Sequence, residues 1–412
     1  MERACEDWGD ISDSDLLYSA AQVEKQEPYE SVTCQKDDTR NSNQVTVPES
    51  LHRQVHLILK MHFYSLIYIY WLVACKTEER SEQSPFKMDE ERGLKRKCRP
   101  EGGRRRQLRF WKRHLSVTTL CQQAWCEMKL EYDFQKPHIR REEQKRTEVQ
   151  TGATIHLVRE LEIQEVISIN TQSREDFVAV ALLNMLHMIP LLEAGECVRE
   201  FPVFGVLEGV HVMGVIDELS YNLKGELVLN ELKTRRDDSL PRTAQTECHN
   251  FQVGLYKLLF DAMVRGELRR EHMVDNPQLC GSRGLGDGVL AHTAKAGLQV
   301  ATFGEMVDAF LQSLSASVLP CIDLLQVEYR HQASCGLIGT RVASFDATKL
   351  RADLRDYLAY WRGQRESRGV DIEEAWKCRF CLHREICAWR KSGYQLPDTP
   401  HASKRSKLTD TP

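Results

Sequence analysis

The chain has 412 residues, 42% of them hydrophobic, and its 56 Lys and Arg nearly balance 60 Asp and Glu for a formal net charge of −4. That apolar content allows a sizeable core, and the length suits one large domain with tails or two to three domains. Fourteen cysteines behind a start too acidic for a secretory signal or a mitochondrial presequence argue against a disulfide framework and for a reducing compartment.

Residues 1 to about 50 read as disordered, with an acidic-apolar motif at Asp10–Leu17. Phe63–Cys75 is apolar but shorter than the roughly 20 residues that span a bilayer. It reads as an inserted segment, and no membrane contact is expected. Between Gly93 and His114, ten Lys and Arg face one acid, Glu101. That run suits nucleic-acid contact or nuclear import, with a solvated linker as the alternative. The expected compartment is the nucleus, with the cytosol second and the mitochondrion disfavoured.

From about Leu115 to Arg390 the pattern is that of one folded unit. Leu115–Tyr132 reads as a helix. A second helix starts from a cap-like Thr151-Gly152. A third runs from Arg174 to Met188 and stops before Pro190. Arg199–Gly205 reads as an edge strand, because Pro202 withholds a ladder donor. Thr243–Val264 is a long helix ending near Gly266. Gly281–Gly288 follows no strand and reads as a flexible loop, not a dinucleotide site. Ile322–His331 and Leu337–Phe345 read as a second strand pair. Ala347–Arg362 is a helix stopped by Gly363.

The chemistry concentrates on one hairpin. Gly209–Tyr221 is rich in β-branched residues, Asn222–Gly225 suits a turn, and Glu226–Lys233 alternates as a return strand. Glu231 and Lys233 share a face of that strand, and Asp217 on its neighbour can reach the same spot. Two carboxylates and an ammonium in an apolar hairpin conflict unless a cation or an anion joins them. Mg²⁺ with a phosphate resolves the conflict. The alternative is a solvated charged hairpin.

A second constellation is Cys378-x2-Cys381-x5-Cys387. Three thiolates so closely spaced suit a soft metal centre that wants a fourth ligand. Cys126 is the best candidate, and spacing alone leaves Cys121 open. Four thiolates without a second close pair suit a 4Fe–4S cluster. Zinc is the alternative, with His383 as a possible further ligand.

In order along the chain come Cys126, Gly152-x3-His156, Gly214-Val-Ile-Asp217, Glu231-Leu-Lys233, Gln252-x3-Tyr256 and three closing cysteines. This order resembles the RecB-type branch of the PD-(D/E)XK nucleases, and most closely the exonuclease V family of single-strand DNA exonucleases. Trp125-Cys126-Glu127, Arg199–Gly205, Gly214–Leu219, Glu231–Arg236 and Glu374–Cys378 carry the likeness over about residues 108 to 392. The resemblance implies an α/β fold: a restriction-endonuclease-like core with a mixed central sheet flanked by helices, its ends tied by a cysteine-ligated cluster. It divides the chain into an atypical N-terminal region (1–107), a nuclease domain (108–392) and a basic tail (393–412). It further implies that Asp217, Glu231, the Leu232 carbonyl and His156 form the Mg²⁺ site. Lys233 would orient the attacking water, and Gln252 and Tyr256 would support the site or the strand. Cys126, Cys378, Cys381 and Cys387 would hold the 4Fe–4S cluster. The expected activity is Mg²⁺-dependent hydrolysis of single-stranded DNA from an end, 5′ to 3′, in DNA repair. A monomer with a single-strand-binding protein as partner is expected. The rival classes are an inactive nucleic-acid-binding module and a zinc-dependent scaffold.

Overall fold

Six strands form one mixed sheet that carries the hairpin near its centre. The computed structural model describes residues 114–163, 169–274 and 279–392. The readings placed on Asp10–Leu17, on Phe63–Cys75, on the basic run up to Arg113 and on the tail after 392 lie outside them. The strands are β1 (His114–Ser116), β2 (Val198–Leu207), β3 (Val210–Tyr221), β4 (Leu227–Arg235), β5 (Leu324–His331) and β6 (Leu337–Ala343). The order is β1-β3-β4-β5-β6, with β2 paired to β3 off that path. β1 runs parallel to β3, and β2 and β4 run antiparallel to it. β4 and β5 are parallel, and β6 returns antiparallel. The six residues Leu227–Leu232 are all buried, as expected of a strand covered on both faces.

Helices flank the sheet. In chain order they are α1 (Val117–Trp125), α2 (Glu127–Gln135), α3 (Pro137–Gln144), α4 (Thr147–Glu160), α5 (Arg174–Glu193) and α6 (Thr243–Val264). The short α7 (Arg270–Val274) and α8 (Asp287–Lys295) lead to α9 (Phe303–Ala316), α10 (Ala347–Trp361) and α11 (Ala388–Lys391). α6 is the central support: Val253, Leu255, Leu259 and Phe260 are essentially sealed, and it packs on β2, β3 and β5. At Gly214 on β3, a Cβ would meet the Tyr256 ring at 2.5 Å. The aromatic face of α6 therefore needs glycine beneath it. α5 is long and apolar enough to cross a membrane, but Leu182, Met185 and Ile189 are buried where it packs on β2 and α9.

Several helix boundaries differ from the sequence reading. The expected helix Leu115–Tyr132 is strand β1 followed by two helices, broken at Cys126, whose backbone is extended (φ −168°, ψ 110°). Helix propensity does not register that break, because Cys126, although a poorer helix former than Ala124 and Glu127, is neither glycine nor proline. α4 starts four residues before Thr151, so Thr151-Gly152 is helix interior and not a cap. Gly152 is there for closeness: a Cβ would come within 2.8 Å of Thr234 Oγ1 on β4. α5 continues through Pro190 to Glu193, because Ile189 and Leu192 bury their side chains and offset the missing N–H. The Gly281–Gly288 segment is pinned at both ends: Glu175 accepts from the Cys280 N–H at 2.9 Å and Asp176 from the Gly286 N–H at 2.8 Å. Its last residues already begin α8.

Candidate active site and cysteine cavity

The site forms where β3 and β4 part. Their pairing runs from Tyr221↔Leu227 to Glu218↔Asn230. One step further, Asp217 stands opposite Glu231, and the ladder gives way to side chains. The Leu232 N–H donates to Asp217 Oδ2 at 2.7 Å. Glu231 is 2% exposed. Its Oε1 accepts from Lys233 Nζ at 2.6 Å and from Gln252 Nε2 at 2.7 Å. Its Oε2 is buried without a hydrogen-bond partner. Gln252 also donates to the Tyr256 hydroxyl at 3.2 Å, so one turn of α6 braces the catalytic strand.

His156, on α4, brings Nδ1 within 3.7 Å of Asp217 Oδ2. Its ring also faces the Leu232 carbonyl, which pulls its proton affinity up. Burial and the Lys233 charge outweigh that pull and push His156 down to about 4, so it is neutral and ligand-competent at neutral pH. Burial raises both Asp217 and Glu231 above the ordinary carboxylate range, and Asp217 raises Glu231 further. Burial alone would lower Lys233, but Glu231 and Asp217 hold it well above its ordinary value, as an ammonium. The free space left among His156, Asp217 and Leu232 is about 10 Å³, room for a single water or ion.

Every residue assigned to this site from the sequence therefore meets there: His156, Asp217, Glu231, Leu232, Lys233, Gln252 and Tyr256. One was missed. Glu200 on β2 comes close enough that its carboxylate, the Asp217 carboxylate and a His156 ring nitrogen lie within 4.8 Å of one another. The sequence offered little signal for it: Glu200 follows Arg199 at the start of the apolar run Phe201–Phe204 and reads as one of an ordinary charged pair. Beside the site, Arg159 bridges Glu328 at 2.6 Å and Glu218 at 3.1 Å, and Arg199 holds Glu218 at 2.8 Å. These pairs clamp α4, β2, β3 and β5 together around the fork.

Cys126, Cys378, Cys381 and Cys387 line a second cavity, of about 260 Å³, with Trp125, Tyr132 and His383. Cys126 sits at the α1–α2 break. Cys378 lies in a 3₁₀ helix, Ile372–Phe380, with Cys381 just past its end, and Cys387 precedes α11. Burial pushes the Cys126 thiol up to about 12, with Cys381, Cys378 and Cys387 adding to the rise. Cys121, left open by spacing, does not line this cavity; its carbonyl accepts from the Cys248 thiol at 3.4 Å. α2 grips the C-terminal segment: Glu127 takes two hydrogen bonds from Arg365, at 2.6 and 2.9 Å, and the Ala388 N–H donates to Tyr132 at 2.9 Å. His383 Nε2 is 2.7 Å from Asp133 Oδ1, while its Nδ1 is buried without a hydrogen-bond partner.

The family described as "Exonuclease V - a 5' deoxyribonuclease" matches residues 105–227 and 298–390. An Exonuclease V of Danio rerio is 59% identical over 332 residues, 81% of this chain and 84% of that protein. Among solved structures, "Crystal structure of SSO0001" is 12% identical and covers 68% of this chain and 87% of that one. Its TM-score of 0.30 is too low to bear on the argument. The family match and the fish relative together show the family: the chain belongs to the exonuclease V family, nucleases that act on DNA.

Proposed function

We propose that the chain hydrolyses single-stranded DNA from a 5′ end with Mg²⁺ and serves DNA repair in the nucleus. The observation that carries this reading is the buried Glu231 Oε2, which has no partner and stands beside Asp217 and Lys233. A carboxylate oxygen so placed is costly unless a cation meets it. The donor set is hard oxygen plus one neutral imidazole, which suits Mg²⁺ or Mn²⁺. Asp217, Glu231, the Leu232 carbonyl and His156 would hold the ion. When bound, it supplies the positive charge that draws in a phosphate oxygen and eases loss of a water proton. The remaining work falls to the chain. Lys233, anchored 2.6 Å from Glu231, directs its other N–H bonds at the attacking water or the phosphate. Gln252 fixes the Glu231 rotamer through the 2.7 Å bond. Arg236, 75% exposed just past β4 and held only by long ion pairs to Glu148 (3.8 Å) and Asp237 (3.7 Å), would turn to a neighbouring phosphate.

The 5′ polarity rests on the family description. The repair role, the nuclear compartment, the monomeric state and a single-strand-binding protein partner rest on the resemblance. The restriction-endonuclease-like core and the division at about residues 108 and 392 belong to the same reading. The cysteine cavity fits a 4Fe–4S cluster. A tetrahedral zinc would draw its sulfurs to about 3.8 Å of one another, yet no three of the described cysteines come within 4.8 Å. Such a centre would join α1–α2 to the C-terminal segment.

The test is cleavage of 5′- and 3′-labelled single-stranded oligonucleotides by anaerobically purified full chain, with and without Mg²⁺, beside Asp217→Ala. Mg²⁺-dependent shortening from the 5′ end by wild type alone is expected. Equal activity in Asp217→Ala, or none in cluster-loaded wild type, would overturn the reading.

A further inference from the structure

Beyond Lys233, the face of the sheet that carries Glu231 holds a second group of polar side chains. In the parallel ladder of β4 and β5, Glu231 stands level with Val327 and Lys233 with Tyr329. On the far side of β5, Val327 stands level with Arg341 of β6. Paired positions project to one face, so Glu231, Lys233, Arg235, Tyr329 and Arg341 share it. The first turns of α6 lie over that face. Arg341 donates to Thr246 Oγ1 at 2.7 Å, Arg235 donates to Gln245 Oε1 at 3.3 Å, and His249 Nδ1 is 3.0 Å from the Tyr329 hydroxyl. His249 stands one turn before Gln252 and two before Tyr256, so one stripe of α6 serves the carboxylates at one end and this group at the other.

Tyr329 is fully buried, and among the described residues its proton has one acceptor, His249 Nδ1. The phenol therefore donates, which puts the imidazole proton on Nε2. Burial and the charges of Lys233 and Arg235 push His249 down to about 3, so the ring stays neutral. The charged groups that act on the His249 ring and the Tyr329 hydroxyl are all cations: Lys233, Arg235 and Arg341. Neither Arg235 nor Arg341 forms an ion pair among the described residues. Each donates to neutral oxygens, Arg235 to Ser239 and Gln245 and Arg341 to Thr246. Arg159 and Arg199, on the other side of the fork, meet carboxylates instead. Half-buried cations grouped without a carboxylate call for an anion from outside the chain.

We propose that Arg235, His249 and Arg341 form a subsite for the phosphodiester next to the one being cleaved. The inference rests on the nuclease reading and gives it the path of the strand: from Lys233 the nucleotide backbone follows β4 toward Arg235. Two residues of β4 advance about 6.6 Å, one step of an extended nucleic-acid backbone. His249 gives a neutral N–H to a phosphate oxygen, and the two guanidiniums give charge. Tyr329 acts through His249 and is a positioning residue. None of the four touches a reacting atom.

The test is cleavage by the full chain with Mg²⁺ of a set of single-stranded oligonucleotides, each carrying one uncharged methylphosphonate at a successive linkage from the 5′ end. In wild type two neighbouring linkages are expected to matter: at the cut linkage the replacement blocks cleavage, and at the next it raises KM about tenfold. On unmodified DNA, His249→Asn and Arg341→Gln should each raise KM about fivefold to tenfold, while kcat changes far less. In both variants a methylphosphonate at the second linkage should add little, because the contact it removes is already lost. His249→Gln should recover most of the affinity, since its amide N–H reaches the place of Nε2. Melting curves confirm that the variants fold. Arg341 lies on the edge strand β6, so its variant decides the case should His249→Asn unfold. An undiminished methylphosphonate penalty in the folded variants, or an unaltered KM, would overturn the subsite and leave the nuclease reading standing. Wild type that cleaves no oligonucleotide would defeat the nuclease reading itself.

Discussion

The fork between β3 and β4 and the cysteine cavity are both candidate metal centres, yet they are built in opposite ways. At the fork, the sheet and the two helices packed on it, α4 and α6, position every group before any ion arrives. Hydrogen bonds from Leu232, Lys233 and Gln252 fix the carboxylates, and the excess is one of charge. At the cavity the thiols come from two distant stretches of chain, and the gap between them is about 260 Å³. The lack there is of connection. A metal at the fork relieves repulsion within a finished structure, whereas one at the cavity completes the structure.

That contrast breaks most sharply under substitution. Asp217→Asn should cut cleavage by roughly a thousandfold or more, an amount common when charged machinery is removed. It should leave the melting temperature unchanged or higher, since one of several crowded carboxylates is gone. Single-turnover cleavage and a melting curve on one preparation test both halves. A large drop in stability would mean that the fork, too, is structural.

Cys381→Ser should do the reverse. The expected result is loss of iron and a melting temperature lower by at least about 5 °C. Iron analysis with calorimetry decides it, and full iron with unchanged melting would remove the cluster from the argument.

Gln252→Leu sits between these cases. It strips one donor from Glu231 Oε1 inside the core, for about 1–2 kcal/mol of stability. Lys233 still holds the carboxylate, so the rate loss should be nearer tenfold than a thousandfold. Denaturant unfolding and cleavage rates check the pair of values.

The smallest effect is expected at Glu328. Burial works to raise its carboxyl, but hydrogen bonds from Arg159 and Arg330 outweigh it and hold it down at about 2. A depressed folded-state value means that the contribution is present above an ordinary value near 4.5 and is lost as pH falls toward 2. After allowance for screening it amounts to about 1 kcal/mol. Glu328→Gln should lose that much at pH 7 and flatten the stability profile between pH 4.5 and 2. A parallel profile in the variant would show that Arg159 holds the clamp without it.

The residues of the fork were legible in the sequence because strands write their faces in steps of two. Asp217, Glu231 and Lys233 could be placed together from alternation and one turn signal. Helical spacing put Gln252 and Tyr256 on one face, and only the motif order brought them, with His156 and Leu232, to the site. Glu200 was not legible, because its reach depends on a skipped pair in the β2–β3 register, and nothing in Arg199–Gly205 marks one. The break at Cys126 was hidden for a related reason: the helix stops there without a proline, a glycine or a side-chain cap. Gly152 misled, since a glycine after threonine looks like a helix start. Its actual reason, the approach of Thr234, comes from a strand far along the chain.

Asp217 and Glu231 stand equally far along the chain from Lys224, at the tip of the turn that joins β3 to β4. The centre behaves like the crotch of a folded ribbon, whose place is set by where the ribbon is creased. Moving the crease by one residue would slide every later rung and send Glu231 and Lys233 to the opposite side of the sheet. The turn Asn222–Glu226, exposed and free of any catalytic group, is thus the ruler of the enzyme: its length is under tighter constraint than its composition.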